Sequence, residues 1–259
     1  MNTSRVKKLQ LPILVTIVGL LMAGIGAGAW YLRPQQAMSE ADVALQGNQR
    51  VQVNEETING ANSFLFRPEE PKNAALIFYP GARVPARAYA PGILEIAREG
   101  YSCFLIKMPI NLAVLGWQKA EKIISAHPEV DCWAIAGHSM GGAMAARFAE
   151  RGNSSVDGLI LWASYPPKEA GFGESEIQAL SITATNDQII DQAKILRSRD
   201  QLPPSAEFVS IDGGNHSQFG WYGFQEGDGR ATISRKEQMQ IVVSETTEFL
   251  VTLCRNSHR

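Results

Sequence analysis

The residues best suited to chemistry lie in one short segment, Gly137-His138-Ser139-Met140-Gly141. This is a G-x-S-x-G pattern, which places a serine on a sharp turn from a strand into a helix. Side chains in place of Gly137 and Gly141 would collide across so tight a turn. At the start of a helix, backbone N–H groups and the helix dipole favour negative charge beside the serine. The pattern therefore predicts Ser139 as a nucleophile.

The residues on both sides of the pattern decide whether it is more than a chance match, because the pattern itself is short. An apolar run, Cys132–Ala136, precedes it and predicts a buried strand. A helix rich in small residues, Met140–Arg151, is predicted to follow. Strand, turn and helix thus occur in the required order, and an accidental glycine-rich turn is the disfavoured alternative.

Apolar β-rich runs alternate with helical patterns along the rest of the chain, which is typical of a mostly parallel sheet covered by helices. The first two predicted strands form a hairpin around Asn59-Gly60. The predicted strands are Val51–Asn54, Ser63–Phe66, Ala75–Tyr79, Ser102–Lys107, Cys132–Ala136, Gly158–Trp162, Leu180–Ala184 and Glu207–Ile211. The predicted helices are Ala86–Glu99, Gln118–Ala126, Met140–Arg151, Gln188–Arg199 and Arg235–Leu253, the last with a capping box from Ser234 and Glu237. The sequence therefore predicts an α/β fold with a roughly eight-stranded sheet.

On these features the chain resembles the α/β-hydrolase family, from about Val51 to the C-terminal helix. It looks closest to small members without a cap domain, and it carries Tyr79-Pro80-Gly81 where many relatives have His-Gly. The resemblance implies an eight-stranded sheet and a Ser–acid–His triad in that chain order. It also implies an ester-like substrate, whether a carboxylic ester, a thioester, a lactone or a small amide.

Four histidines are candidates for the general base: His127, His138, His216 and His258. His138 lies within the turn, and the resemblance implies that its side chain points away from the serine. His127 precedes the strand before the turn, at the wrong edge of the sheet, and His258 lies in a polar tail. His216 remains, in a glycine-rich loop after the last predicted strand, and is the predicted base. A purely structural loop histidine is the alternative.

The acid of the triad is expected between Ser139 and His216, at the carboxyl end of a strand. Asp187 lies there and would fix the histidine tautomer. The alternative is that Asp187 only caps the helix predicted to begin at Gln188. Asp191, one turn further on, is the second candidate.

The oxyanion hole requires two backbone N–H donors. Met140, which follows the nucleophile, is predicted to supply one. Ala82, in the loop after the strand that ends at Tyr79, is predicted to supply the other.

Five residues of loops at the same predicted edge of the sheet are candidate substrate-binding residues: Arg83, Asn111, Tyr165, Phe219 and Trp221. The aromatic ones could line an apolar pocket, or they could only cover the edge of the domain. Arg83 could attract an anionic substrate, or it could simply be solvated.

The composition is that of a globular protein, with 45% hydrophobic and 19% charged residues. The formal net charge of −2 gives no support to a nucleic-acid partner. The sequence has no Cys/His spacing typical of a metal site, and no cofactor is expected. Cys103 and Cys132 are expected to be free core residues, because each lies in an apolar strand-like run.

Residues 11–32 carry no charge and, as a helix, would span ~33 Å, enough to cross a bilayer. Trp30 and Tyr31 would then lie at the membrane interface. Residues 1–33 are therefore predicted as a membrane anchor or signal segment, residues 34–50 as a polar spacer and residues 51–259 as the hydrolase domain.

The cations before this segment, Arg5, Lys7 and Lys8, favour a cytoplasmic N-terminus and an exported domain, either periplasmic or extracellular. The alternative is a signal peptide cleaved at Ala27-Gly28-Ala29, which would release the domain as a secreted protein. Gly24 and Gly28 have GxxxG spacing, a weak indication of helix dimerisation in the bilayer.

These observations predict two-step acyl transfer through Ser139, with water as the second acceptor. An acyltransferase that uses the same triad, and a non-catalytic binding protein that retains the fold, are the alternatives.

Overall fold

The computed structural model describes residues 33–151, 155–173 and 175–256. One compact unit begins at Gln35 and contains all of the strands and helices described below. The predicted membrane segment 11–32, with its glycine pair, lies outside the described residues, as does His258. Within the described ranges, no helix is both long and apolar enough to cross a bilayer.

One eight-stranded sheet forms the centre of the domain, with the strand order β1-β2-β4-β3-β5-β6-β7-β8. Its strands are β1 (Val51–Ile58), β2 (Ala61–Pro68), β3 (Ala74–Tyr79), β4 (Ser102–Ile106), β5 (Cys132–His138), β6 (Gly158–Trp162), β7 (Gln178–Ala184) and β8 (Glu207–Ile211). The pairs β1–β2 and β2–β4 are antiparallel, and all of the other neighbours are parallel. The predicted fold class and all eight strands are confirmed, with shifts of boundary only.

The predicted hairpin between β1 and β2 is also confirmed. Asn59 and Gly60 at its turn have φ of 48° and 81°, the left-handed pair that a two-residue hairpin requires.

Helices cover both faces of the sheet. They are α1 (Ser39–Ala44), α2 (Ala90–Arg98), α3 (Lys119–Ala126), α4 (Met140–Arg151), α5 (Gln192–Ser198) and α6 (Arg235–Asn256). α2 and α6 pack on one face, and α3 and α4 pack on the other. Alternate residues of the buried strands therefore contribute to two separate hydrophobic cores, so that neither face of the central sheet is left to water.

Two predicted helices begin later than expected. The first opens with a 3₁₀ turn, Ala86–Tyr89, before α2 starts at Ala90. The other starts at Gln192 rather than Gln188, because the Asp191 side chain accepts hydrogen bonds from the N–H groups of Ala193 and Lys194 and so caps α5.

The segment before Val51 is part of the compact unit. Gln35 donates its N–H to the Arg83 carbonyl at 2.8 Å, and Met38 donates to the Trp221 carbonyl at 2.9 Å. α1 follows and buries only two alanines, Ala41 and Ala44. The folded domain thus begins before the Val51 start that the sequence indicates. So few buried side chains leave little hydrophobic pattern, which is why the segment reads as a polar spacer.

A disulfide joins Cys132, at the start of β5, to Cys254 in α6. Their Cα atoms are 5.7 Å apart although 122 positions separate them in the chain, so the pairing follows from the packing of α6 against the sheet. The expectation that Cys132 is a free core residue is wrong. Cys103 is free and buried as expected, and burial raises the pKa of its thiol.

We expect the double variant Cys132→Ala/Cys254→Ala to unfold at lower urea concentration than the wild type. The loop closed by this disulfide is long, so its loss should cost about 2–5 kcal/mol, towards the upper end of that range. Wild-type protein unfolded under reducing conditions should match the variant. Titration of unreduced, denatured wild type that finds three free thiols instead of one would contradict the pairing.

Candidate active site

The turn between β5 and α4 holds Ser139 in a left-handed conformation, with φ of 52°. Such a backbone is costly for a residue other than glycine and persists only where its surroundings fix it. A Cβ atom on Gly137 would overlap the Gly141 backbone, and one on Gly141 would overlap the Tyr79 backbone. The two glycines of the pattern are therefore required by close backbone approach, as the sequence predicts.

The neighbouring strand holds the turn from the other side. The Ser139 N–H donates to the Trp162 carbonyl at 3.0 Å, and the Ser164 hydroxyl donates to the Ser139 carbonyl at 2.7 Å. Both polar groups of the Ser139 backbone are therefore engaged by the β6 end of the sheet. Ser164 carries no sequence signal for this role, because its contact exists only once β6 lies beside β5.

The predicted acid and base form a buried pair. His216 Nδ1 lies 2.7 Å from Asp187 Oδ2, and each side chain is only 1% exposed. A carboxylate oxygen only accepts, so Nδ1 carries the proton and donates it. Nε2 of His216 is then the ring nitrogen able to accept a proton.

Asp187 also performs its alternative role. Its Oδ1 accepts the N–H groups of Ile189 at 2.9 Å and Ile190 at 3.0 Å. One carboxylate therefore fixes the turn after β7 with one oxygen and the histidine with the other. Asp191, the second candidate for the acid, instead caps α5.

The His216 ring lies against the nucleophile turn. Its centroid is 4.4 Å from that of His138, the residue before Ser139. The structure thus joins Asp187, after β7, to His216, after β8, and places the His216 ring beside the residue that precedes Ser139.

A second buried carboxylate, Asp228, supports the histidine loop. Its Oδ2 accepts both the N–H and the hydroxyl of Ser217, at 2.7 and 2.6 Å, and its Oδ1 accepts the Gly229 N–H at 2.8 Å. The residue next to His216 is thereby held in place. Sequence reasoning misses Asp228, because only the folded loop returns it to Ser217, although its position between two glycines does indicate a constrained turn.

The loop after β3 leaves one backbone donor unused. Gly81 donates its N–H to the Tyr89 hydroxyl, Arg83 to the Asn111 carbonyl and Val84 to the Gly81 carbonyl. Within the described parts of the chain, the N–H groups of Ala82 and Met140 have no hydrogen-bond acceptor. These two are the donors predicted for the oxyanion hole.

A hydrogen-bond chain joins that loop to the nucleophile turn. The Tyr89 hydroxyl accepts the Gly81 N–H at 3.0 Å and lies 2.8 Å from His138 Nδ1. Its own proton is therefore donated to His138, which fixes Nδ1 as an acceptor. Burial and, secondly, the nearby His216 hold the pKa of His138 well below its usual value, so His138 remains neutral.

The candidate substrate-binding residues divide into two groups. Arg83 and Asn111 are joined through their backbones at 2.8 Å beside the predicted oxyanion donors, and Tyr165 is half-buried in the loop after β6. Phe219 has no exposed surface and stacks on His138. Trp221 packs against the core and lines a groove between α2 and α6.

The prediction that Phe219 contacts the substrate is therefore corrected, because no surface of Phe219 is accessible to a ligand. Its ring instead supports the ring of His138. In the described ranges, no cluster of three His, Cys, Asp or Glu side chains could hold a metal ion.

The sequence profile described as the alpha/beta hydrolase family matches residues 75–240. No curated protein matches the chain significantly. A predicted CIB-like hydrolase from Thermoplasma acidophilum is 16% identical, with a TM-score of 0.56 over 76% of this chain and 99% of that one. An esterase from Pyrococcus furiosus is 13% identical, with a TM-score of 0.58 over 85% of this chain and 95% of that one. An esterase/lipase from an uncultured bacterium is 14% identical, with a TM-score of 0.60 over 82% of this chain and 88% of that one. At these identities the likeness shows the fold alone.

We expect Asp228→Asn to lower kcat by tenfold or more with little change in KM, because an amide has only one oxygen and cannot accept both the bonds from Ser217 and the bond from Gly229. Each buried donor left without an acceptor should also cost about 1–3 kcal/mol of stability. Esterase kinetics and urea unfolding measure the two effects. Asp212→Asn, an exposed aspartate in the same loop, is the matched control. An Asp228→Asn variant that matched wild type in both measurements would show that the loop does not depend on this carboxylate.

The neutral state of buried His138 makes stability depend on pH. In the unfolded chain its pKa returns to about 6.5, so the unfolded state binds the extra proton as the pH falls below that value. The contribution of neutral His138 to the free energy of unfolding is fully present above pH 6.5. It is lost as the pH falls, by up to about 1.4 kcal/mol per pH unit.

Urea unfolding between pH 7.5 and 5.5 tests this by comparison with His138→Asn, whose side chain does not titrate. The difference in the free energy of unfolding between the wild type and the variant should shrink as the pH falls. Parallel stability curves across this range would show that His138 takes up no proton on unfolding.

Proposed function

The chain belongs to the alpha/beta hydrolase family, and we propose that it is a serine hydrolase that cleaves carboxylic ester-like bonds through an acyl-enzyme on Ser139. The observation that carries this proposal is the buried Asp187–His216 pair, joined at 2.7 Å and placed against the turn that presents Ser139. A histidine held in one tautomer by a carboxylate is suited to remove the proton of a neighbouring serine.

The first half of the reaction forms the acyl-enzyme. Ser139 Oγ attacks the carbonyl carbon and its proton passes to His216 Nε2. The negative charge on the carbonyl oxygen is bound by the N–H groups of Met140 and Ala82. Collapse of the tetrahedral intermediate breaks the bond to the leaving group, which takes the proton from His216 and departs as an alcohol, thiol or amine.

The second half releases the acid. Water attacks the acyl carbon while His216 Nε2 accepts one of its protons, and that proton returns to Ser139 Oγ as the acyl–enzyme bond breaks. Asp187 stabilises the imidazolium formed in both halves.

The disulfide supports the proposal that the domain is exported, because disulfides persist in oxidising compartments outside the cytoplasm. A membrane anchor formed by residues 11–32 remains part of that proposal, with weak pairing through Gly24 and Gly28. A cleaved signal segment would give a secreted form with the same domain.

The proposal is tested with a series of p-nitrophenyl esters of increasing acyl length. Ser139→Ala should lower kcat by on the order of 10⁴-fold or more, and the Ser139→Ala/His216→Ala pair should be no worse than either single variant, because the two residues act as a unit. His127→Ala, a histidine remote from the turn, is the control and should retain wild-type rates. Ser139→Ala with near wild-type turnover would refute the acyl-enzyme. A folded wild type inert towards every ester would favour the non-catalytic alternative.

A further inference from the structure

Several large apolar side chains on the loops around Ser139 are exposed to solvent. Ile110, Val114 and Leu115, in the loop after β4, are 59%, 43% and 57% exposed. Phe224, in the loop that links His216 to Asp228, is 58% exposed. We refer to these four residues as the apolar rim.

The β4 part of the rim is connected to the proposed oxyanion hole. The Asn111 carbonyl accepts the Arg83 N–H at 2.8 Å, directly after Ala82. Ile110 and Asn111 have φ of 43° and 56°, and a left-handed conformation is a genuine outlier for a β-branched residue. A strained backbone that presents an apolar side chain to water suggests a surface used for binding.

The N-terminal segment enters the domain at the same place. Gln35 donates its N–H to the Arg83 carbonyl at 2.8 Å, so this segment is attached to the loop that carries Ala82. The predicted membrane segment ends at Leu32, and the three residue steps from Leu32 to Gln35 reach roughly 10 Å at most.

This short connection limits how far the site can lie from a bilayer. With residues 11–32 in the membrane, Trp30 and Tyr31 lie at its interface, and the Arg83 loop is held within roughly 10 Å of it. Met38 continues the attachment, since its N–H donates to the Trp221 carbonyl at 2.9 Å. Both attachments of this segment, at Arg83 and at Trp221, are made by backbone groups of described residues.

We propose that the apolar rim lies in the interfacial layer of the bilayer and that the substrates are acyl esters of membrane lipids, which reach Ser139 from the membrane. The substrate part rests on the proposed hydrolase function. The location of the rim rests instead on the proposed membrane anchor, residues 11–32, and it is measured separately. Burial of the rim side chains among lipid acyl chains removes them from water.

The location of the rim is tested with the full-length chain reconstituted in phosphatidylcholine vesicles. Leu115→Cys is labelled with an environment-sensitive fluorophore, since Cys103 is buried and the other two cysteines are paired. Lipids with a spin label on the acyl chain should quench this probe. The same probe at Val251→Cys, an exposed position of α6 close to Cys254 and the opposite edge of the sheet, should not be quenched.

The substrate class is tested in the same vesicles with a fluorogenic diacylglycerol. Val114→Glu/Leu115→Glu should lower its hydrolysis at least tenfold while hydrolysis of soluble p-nitrophenyl butyrate stays within twofold. Val251→Glu is the matched control and should leave both rates unchanged. Insertion of a helical spacer of about 20 residues between Pro34 and Gln35, about 30 Å long, should have the same selective effect as the rim variant.

The proposed location of the rim would be overturned by equal quenching of the probe at Leu115→Cys and Val251→Cys. It would also be overturned if, without lipid, the rim probe became shielded from water as the protein concentration rises. In the second case another copy of the chain would cover it. If the rim probe is quenched but the rim variant loses hydrolysis of both esters to the same extent, the proposal that membrane lipids are the substrates is overturned. A wild type that hydrolyses neither ester would refute the proposed function, while the quenching result would still decide where the rim lies.

Discussion

The left-handed turn at Ser139 is the constraint on which the rest of the structure depends. A strand that passes directly into a helix at φ of 52° needs its neighbours to come within backbone contact. Glycine at 137 and 141 satisfies that need, and a Cβ at either position would overlap backbone atoms. The turn is then held from outside by two hydrogen bonds from the end of β6, to the N–H and the carbonyl of Ser139. The parallel sheet is thus the support that keeps a costly conformation populated.

The loops around the turn are fixed by buried polar groups. Asp187 divides its two oxygens between the turn after β7 and the ring of His216. Asp228 performs the corresponding task for the residue beside that histidine. The Tyr89 hydroxyl joins the loop after β3 to neutral His138. The two carboxylates and the Tyr89 hydroxyl each have hydrogen-bond partners in the interior, where a lost partner is costly, so the loops have little freedom to move apart. Such rigidity is what a preorganised site requires.

The sequence predicts those features whose cause is local. Buried strands produce apolar runs, and a Gly-x-Ser-x-Gly pattern between a strand and a helix indicates the turn. His216 and Asp187 follow from their positions after strands, together with the family resemblance. Features that depend on distant segments carry no comparable pattern. The Cys132–Cys254 pair forms across the packed sheet, and the attachment of Gln35 uses backbone groups that every residue possesses. Phe219 reads as a pocket residue because sequence shows its chemistry but not its complete burial.

Catalysis through Ser139 requires a reactive serine hydroxyl, which a covalent adduct reveals. The folded chain is treated with a fluorophosphonate, digested, and mapped by mass spectrometry. We expect one equivalent of adduct per chain, on the peptide that contains Ser139, and no adduct in Ser139→Ala or in the unfolded wild type. A folded wild type that remains unmodified, or one modified at another residue, would contradict it.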